Sequence, residues 1–198
     1  RSENSRNRVF DDFGDYVTIF PYEASKLSDP SLVIYTPVRK LGRRLIVTNG
    51  DQTDTIYEYL KAGKTFEEAL ETREFEPDKP NFTPRISALL DFENGFSYKL
   101  SILKSADEDG SGCNRFTFSY APRKGVGHFI HTYKSDGNPL PSFVGEPERV
   151  TILNSIDAFT RKIWDNLNPD NKVSLYVRYV SLASGRATAR VVNKNVRE

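Results

Sequence analysis

Three arginines fall within the first eight residues, Arg1, Arg6 and Arg8, among Ser2, Asn4 and Asn7. Guanidinium groups with hydroxyl and amide neighbours suit a phosphate, because the planar fork can donate to two oxygens at once. The same residues also read as a solvated chain end. A second group is Thr48-Asn49-Gly50-Asp51-Gln52-Thr53-Asp54. There a strand runs into a turn and a helix N-terminus, whose free N–H groups and dipole attract an anion. Gly50 would let a ligand approach the backbone; ordinary capping by Asp51, Thr53 or Asp54 is the alternative. A third group is Glu74-Phe75-Glu76-Pro77-Asp78, followed by Phe82-Thr83-Pro84-Arg85-Ile86. Carboxylates in a proline-punctuated loop ahead of a strand can do acid–base work, or can simply be solvated.

Other residue types point away from metals and dinucleotides. His128 and His131 lie three apart on an expected strand and so point to opposite faces, a poor arrangement for one metal ion. Cys113 has Arg115 two residues away, and a cation can activate a thiol; a buried small residue is the default reading. No Gly-x-Gly-x-x-Gly, P-loop lysine or Gly-x-Ser-x-Gly segment is present. The expectation is therefore no metal and no cofactor.

The elements that must position these groups follow from periodicity. Residues 16–20, 32–38 and 44–48 read as strands, the last two joined in a hairpin at Gly42, with Pro37 at an edge or strand end. A helix follows Asn49-Gly50-Asp51 through about Ala62, with Gly63 as its stop. Thr65 and Glu68 have capping-box spacing for a second, short helix that turns Phe66, Ala69 and Leu70 inward. Residues 85–92, 96–103, 115–121 and 126–133 read as strands, the first two joined by Glu93-Asn94-Gly95. Residues 136–148 form a Gly/Pro-rich loop. Ser155 caps a helix through about Leu167, with Ile156, Phe159, Ile163, Trp164 and Leu167 as its apolar stripe. Residues 172–180 and 187–192 form a closing hairpin around Ser184-Gly185. This order lacks regular β-α-β alternation and predicts an α+β fold of layered antiparallel sheets with helices outside.

Composition sets the limits. The 198 residues suit one domain, and 12% aromatic residues can build a core. The net charge of +1, from 28 basic and 27 acidic residues, argues against broad binding to nucleic acid or anionic lipid. A single cysteine excludes an internal disulfide and fits a reducing, cytoplasmic setting. No apolar run is long enough to span a membrane as a helix. The first residues show no signal-peptide core and no initiator Met, so residues upstream of Arg1 are expected.

Taken in order, several segments resemble the archaeal-type IMP cyclohydrolase family. They are Arg1-Ser2 with Arg6, Ile34-Tyr35, Val47-Thr48-Asn49-Gly50 with Thr53-Asp54, Glu74-Phe75-Glu76, and Thr83-Pro84-Arg85-Ile86. A bacterial branch is similar along nearly all of the chain, including Cys113-Asn114-Arg115 and the segment 127–133. The resemblance implies one domain over residues 1–198, a four-layer αββα fold like that of N-terminal-nucleophile hydrolases without the nucleophile, and an N-terminal strand pair ahead of Arg1. It implies a homo-oligomer acting on a purine ribonucleotide: 5-formamidoimidazole-4-carboxamide ribonucleotide loses water to give IMP. It assigns Arg6, Tyr35 and Glu76 to the chemistry, with Arg8 as the alternative arginine. Arg1, Ser2, Arg8, Asn49, Gly50, Asp54, Thr83, Arg85 and Asn114 would hold the nucleotide, although Arg85 could instead be a structural partner of Asp54 or Glu76. The rival readings are a non-catalytic purine-nucleotide-binding regulator, an enzyme closing a ring on a related imidazole ribotide, and an amide hydrolase of the same fold. The last needs Cys, Ser or Thr at the mature terminus, where Arg1 stands.

Overall fold

The computed structural model describes residues 3–26 and 34–195, and for Glu3 and Asn4 the backbone only. Arg1, Ser2 and residues 32–33 of the expected second strand lie outside the described residues. The chain divides into two compact units, one of residues 37–150 and one of residues 1–36 with 151–198.

In the unit of residues 37–150, five strands run in chain order as an antiparallel meander: β3 (Val38–Leu41), β4 (Arg44–Thr48), β5 (Arg85–Asp91), β6 (Ser97–Ser105) and β7 (Cys113–Tyr120). The β3–β4 turn needs a left-handed residue and has Gly42 at φ 57. The expected strand over 32–38 is displaced: the ladder begins only at Val38, after Pro37. Proline has no N–H to donate, so Pro37 enters the sheet only as an acceptor, receiving the Thr48 N–H at 2.8 Å.

Two helices, α2 (Gln52–Lys61) and α3 (Phe66–Glu71), are inserted between β4 and β5. The α3 capping box is complete: Thr65 Oγ1 accepts the Glu68 N–H at 3.1 Å, and the Glu68 carboxylate accepts the Thr65 N–H at 2.7 Å. Ile56 and Leu60 of α2 and Phe66, Ala69 and Leu70 of α3 form one core with Ile46, Leu89 and Leu103 of the sheet. Ile46 and Leu89 are direct cross-strand partners, so strand alternation delivers both to the helix-facing side. Removing a ring such as that of Phe66 from this core should cost about 3–5 kcal/mol.

Farther along the same face the sheet turns polar. Thr48 is opposite Ser87, and Ser87 is opposite Ser101, with Arg85 two residues before Ser87. All four are buried. Leu100 and Ile102 are buried as well, so β6 is covered on both faces. A smaller pair, β8 (Val126–Phe129) with β9 (Glu148–Thr151), completes this part of the chain. The strand expected over 126–133 thus stops at Phe129, and β9 emerges from the end of the Gly/Pro-rich segment.

In the other unit, α1 (Glu3–Arg6) leads into β1 (Arg8–Asp12), which pairs with β2 (Tyr16–Pro21). The reading of this stretch as a solvated end missed β1. Its signal is short, but Val9 is fully buried and stands opposite Phe20. The helix α4 (Ile156–Asn166) packs on the hairpin of β10 (Ser174–Val180) and β11 (Ala187–Asn193). Ser155 Oγ caps α4 by accepting the Ala158 N–H at 3.3 Å. Leu167, expected on the apolar stripe, is instead the exposed C-cap. The Asn193 amide behaves as a strand partner for Phe10, accepting its N–H at 2.9 Å and donating to its C=O at 3.1 Å.

Candidate functional site

The polar end of the five-stranded sheet lies under the first turn of α2, and the residues there are held tightly. Thr48 Oγ1 donates to Gly50 O at 2.7 Å, and Thr53 Oγ1 donates to the same oxygen at 3.0 Å. Asn49 stitches two strand ends together. Its Nδ2 donates to Pro84 O at 2.9 Å, and its Oδ1 accepts the Ile86 N–H at 2.8 Å and Gln52 Nε2 at 3.1 Å. The Asn49 amide therefore works chiefly on the protein's own backbone.

Three side chains meet at Gly50. A Cβ there would lie 2.4 Å from Arg85 Nη1, 2.6 Å from Gln52 Oε1 and 3.5 Å from Glu76 Oε1. Gly50 is not among the residues with left-handed backbone, so the glycine is required by space and not by φ. Arg85 is only 5% exposed. Its Nη1 donates to Gln52 Oε1 at 2.8 Å and pairs with Asp51 Oδ1 at 2.7 Å. Asp51 also accepts Arg73 Nη2 at 2.6 and 2.7 Å. Arg85 is thus tied to Asp51 and Gln52, two residues of the 48–54 group to which the resemblance gives no role, and Asp51 makes no side-chain cap on α2. Partial burial pushes the Asp51 carboxyl up, but the Arg73 hydrogen bond and the charges of Arg85 and Arg73 outweigh it and hold the group below its ordinary range.

The Glu76 loop is anchored from its far end. The Glu76 N–H donates to Thr83 O at 2.9 Å. Asp78 accepts the Thr83 N–H at 2.6 Å and the Thr83 hydroxyl at 2.5 Å. Tyr133 OH lies 2.5 Å from that same hydroxyl. Phe75 and Phe82 close the loop edge to face, centroids 5.4 Å apart.

The structure therefore brings Asn49, Gly50, Glu76, Thr83 and Arg85 into one neighbourhood. Asp54 is exposed and pairs with Arg39 of β3 at 2.6 Å. Asn114 is exposed on β7, opposite Lys104. In the other unit, exposed Arg6 donates to Asp170 O at 3.0 Å and to Asn171 Oδ1 at 3.1 Å, bracing the turn before β10. Arg8 Nε donates to Ser5 O at 2.9 Å, and Tyr35 O accepts the Ile19 N–H at 3.1 Å. The two histidines have separate neighbours. His128 Nδ1 lies 2.6 Å from Tyr98 OH, whereas His131 Nδ1 lies 2.6 Å from Tyr133 O. Burial pushes the Cys113 thiol up despite Arg115, the opposite of activation.

Asp51, Gln52 and Asp78 lie in segments singled out from the sequence but are given no part in the site there; Tyr133 enters only within the segment 127–133, and Arg73 is not singled out. Gln52 carried a local signal, its i, i+3 spacing from Asn49. The others meet through tertiary contacts alone.

The family model described as "IMP cyclohydrolase-like protein" matches residues 1–184. The chain belongs to the IMP cyclohydrolase-like family. A curated relative, the IMP cyclohydrolase of Methanococcus maripaludis (strain C5 / ATCC BAA-1333), is 33% identical over 91 residues. That match covers 44% of this chain and 44% of the relative, less than half of each. In this cyclohydrolase-like chain, a carboxylate (Glu76) and a buried guanidinium (Arg85) both come close to the buried backbone at Gly50. Such a group can exchange a proton, and such a cation can set the local field.

Proposed function

We propose that this chain catalyses the dehydrative closure of 5-formamidoimidazole-4-carboxamide ribonucleotide to IMP. The observation that carries the reading is the family match over residues 1–184. The geometry around Gly50 supports it, because a carboxylate and a buried arginine both come close to the buried, side-chain-free backbone there.

The carboxamide nitrogen attacks the formyl carbon, forming the new C–N bond. The attacking nitrogen gives up one of its two protons and the formamide nitrogen gives up its one, and the former formyl oxygen leaves with two protons as water. No electrons are transferred, so the step calls for a proton acceptor, a proton donor and a fixed substrate. Glu76 is our proton acceptor. Tyr35 donates to the formyl oxygen, and Arg6 stabilises negative charge there, with Arg8 as the alternative arginine. Arg1, Ser2, Arg8, Asn49, Gly50, Asp54, Thr83, Arg85 and Asn114 are our candidates for holding the ribotide. The Arg85 pairing with Asp51 argues for an organising part in that set over a direct grip on phosphate. We read the whole chain as one cyclohydrolase-like domain of four αββα layers, working as a cytoplasmic homo-oligomer.

Purified protein should convert the formylated ribotide to IMP, followed by ultraviolet absorbance and chromatography. Absence of turnover together with tight IMP binding would replace the enzyme with a nucleotide-binding regulator.

A further inference from the structure

Both hydrogen-bond donors of Thr83 go to one carboxylate. Its N–H reaches Asp78 Oδ1 at 2.6 Å, and its hydroxyl reaches Asp78 Oδ2 at 2.5 Å. A hydroxyl has one proton, and a carboxylate can only accept. The Thr83 proton is therefore committed to Asp78, and toward any third group the oxygen is an acceptor. Tyr133 OH, 2.5 Å from Thr83 Oγ1, takes one of its two acceptor places. The other place has no partner among the described residues. The turn that carries Asp78 is itself held. Asp78 O accepts the Asn81 N–H at 3.0 Å and the Phe82 N–H at 3.3 Å. Phe82 has a left-handed φ of 42, which a bulky residue adopts only under constraint. Its ring is set against Phe75 and against Gly110, where a Cβ would stand 2.7 Å from Phe82 Cε1.

We infer that Asp78 is a positioning residue that fixes Thr83 as an acceptor, so that Thr83 selects a neutral hydrogen-bond donor of the ligand, a ribose hydroxyl or the carboxamide N–H, and not its phosphate. This deepens the proposed function and rests on its placement of Thr83 among the residues that hold the ribotide. A phosphate oxygen brings no proton to Thr83, and it would meet the Asp78 charge directly behind the hydroxyl. A ribose hydroxyl or an amide N–H brings the proton that the remaining lone pair can take. The carboxylate behind polarises the Thr83 O–H and strengthens its oxygen as an acceptor.

The same geometry states what one small change at residue 78 does. Asp78 offers two acceptors to two Thr83 donors. An asparagine side chain offers one acceptor oxygen and an NH2 group. The Thr83 N–H cannot rotate, so it keeps the oxygen. The amide nitrogen then faces Thr83 Oγ1 and donates to it. The hydroxyl proton is released, and Thr83 turns from acceptor into donor. Asp78→Asn thus reverses the hydrogen-bond sense of Thr83 while keeping the size of the side chain.

The test is titration calorimetry of the full chain with IMP, with IMP lacking both ribose hydroxyls, and with the 5-aminoimidazole ribotide carrying either a 4-carboxamide or a 4-carboxylate. Thr83→Val removes the acceptor, keeps the bulk and should weaken IMP by about tenfold or more. Asp78→Asn should weaken it in the same way, which keeps the test available if one variant fails to fold. Thr83→Ser restores the hydroxyl and should stay within about threefold of wild type. A loss that vanishes with the dideoxy nucleotide assigns the ribose hydroxyls as the donor. A loss seen with the carboxamide ribotide and not with the carboxylate assigns the amide. A loss of equal size with every probe would place Thr83 on the phosphate they share and overturn the inference, as would unchanged affinities in both folded variants. Wild type that binds none of the probes would overturn the ribotide reading itself, and the role of Thr83 with it, before any variant is compared.

Discussion

Asp51 and Arg85 form an ion pair of unequal partners, Oδ1 to Nη1 2.7 Å, with the arginine side chain 6% exposed and the aspartate 47% exposed. The buried member depends on the wet one. Arg85 needs a counter-charge under α2, while Asp51 also sits where the helix dipole favours an anion.

Asp51→Asn should therefore lower stability by about 2 kcal/mol, less than the ~3–5 kcal/mol of breaking a fully buried pair because Asp51 is half solvated. The pH dependence follows from the lowered Asp51 pKa. The folded state binds this proton less readily than the unfolded chain. The stabilisation is then fully present above the ordinary aspartate pKa and is lost as pH falls through the lower folded value. Urea unfolding from pH 7 to pH 3 should show a smaller loss of stability on acidification for Asp51→Asn than for wild type.

Gly50→Ala should destabilise by about 1–3 kcal/mol, because the new methyl meets Arg85 Nη1 and Gln52 Oε1, neither of which is free to swing away. The control is Gly63→Ala. Gly63 has nothing within 4 Å of a built Cβ but lies at φ +76, so its cost of about 1 kcal/mol comes from backbone conformation alone. Thermal unfolding checks both. Only the Gly50 variant should also lose turnover.

Glu76→Gln should cut kcat by about a hundredfold or more while affinity for IMP changes little, measured by steady-state kinetics and calorimetry. Loss of affinity with an unchanged residual rate would make Glu76 a binding residue.

Thr65→Ala removes one half of the α3 capping box and should cost about 1 kcal/mol of stability by urea unfolding. It should leave kcat unchanged, since α3 contributes core and no side chain to the Gly50 cluster.

What the sequence revealed depended on how local each cause is. The capping box of Thr65 and Glu68, the Gly63 stop and the Gly42 and Gly95 turns are decided within a few residues, and the structure has all of them. The β1 strand was hidden because Val9 and Phe10 stand between charged residues, and their partner strand defines them. The strand expected over 32–38 gives way to a ladder that starts at Val38, because pairing with β4 and not apolar content sets where it starts. Around Gly50, the turn and helix were legible, as was the closeness of Asn49 to Gly50. That Arg85 would choose Asp51 and Gln52 over Asp54 or Glu76 was not. The choice depends on cross-strand register and on which acidic residue of the α2 turn faces the sheet, and Asp54 faces Arg39 instead.

The fate of the formyl oxygen tests the proposed reaction most directly. With that oxygen labelled with 18O, ring closure should release the label into water and yield IMP without it. Labelled formate and no IMP would mean that the chain cleaves the formamide instead, and the cyclohydrolase account would be wrong.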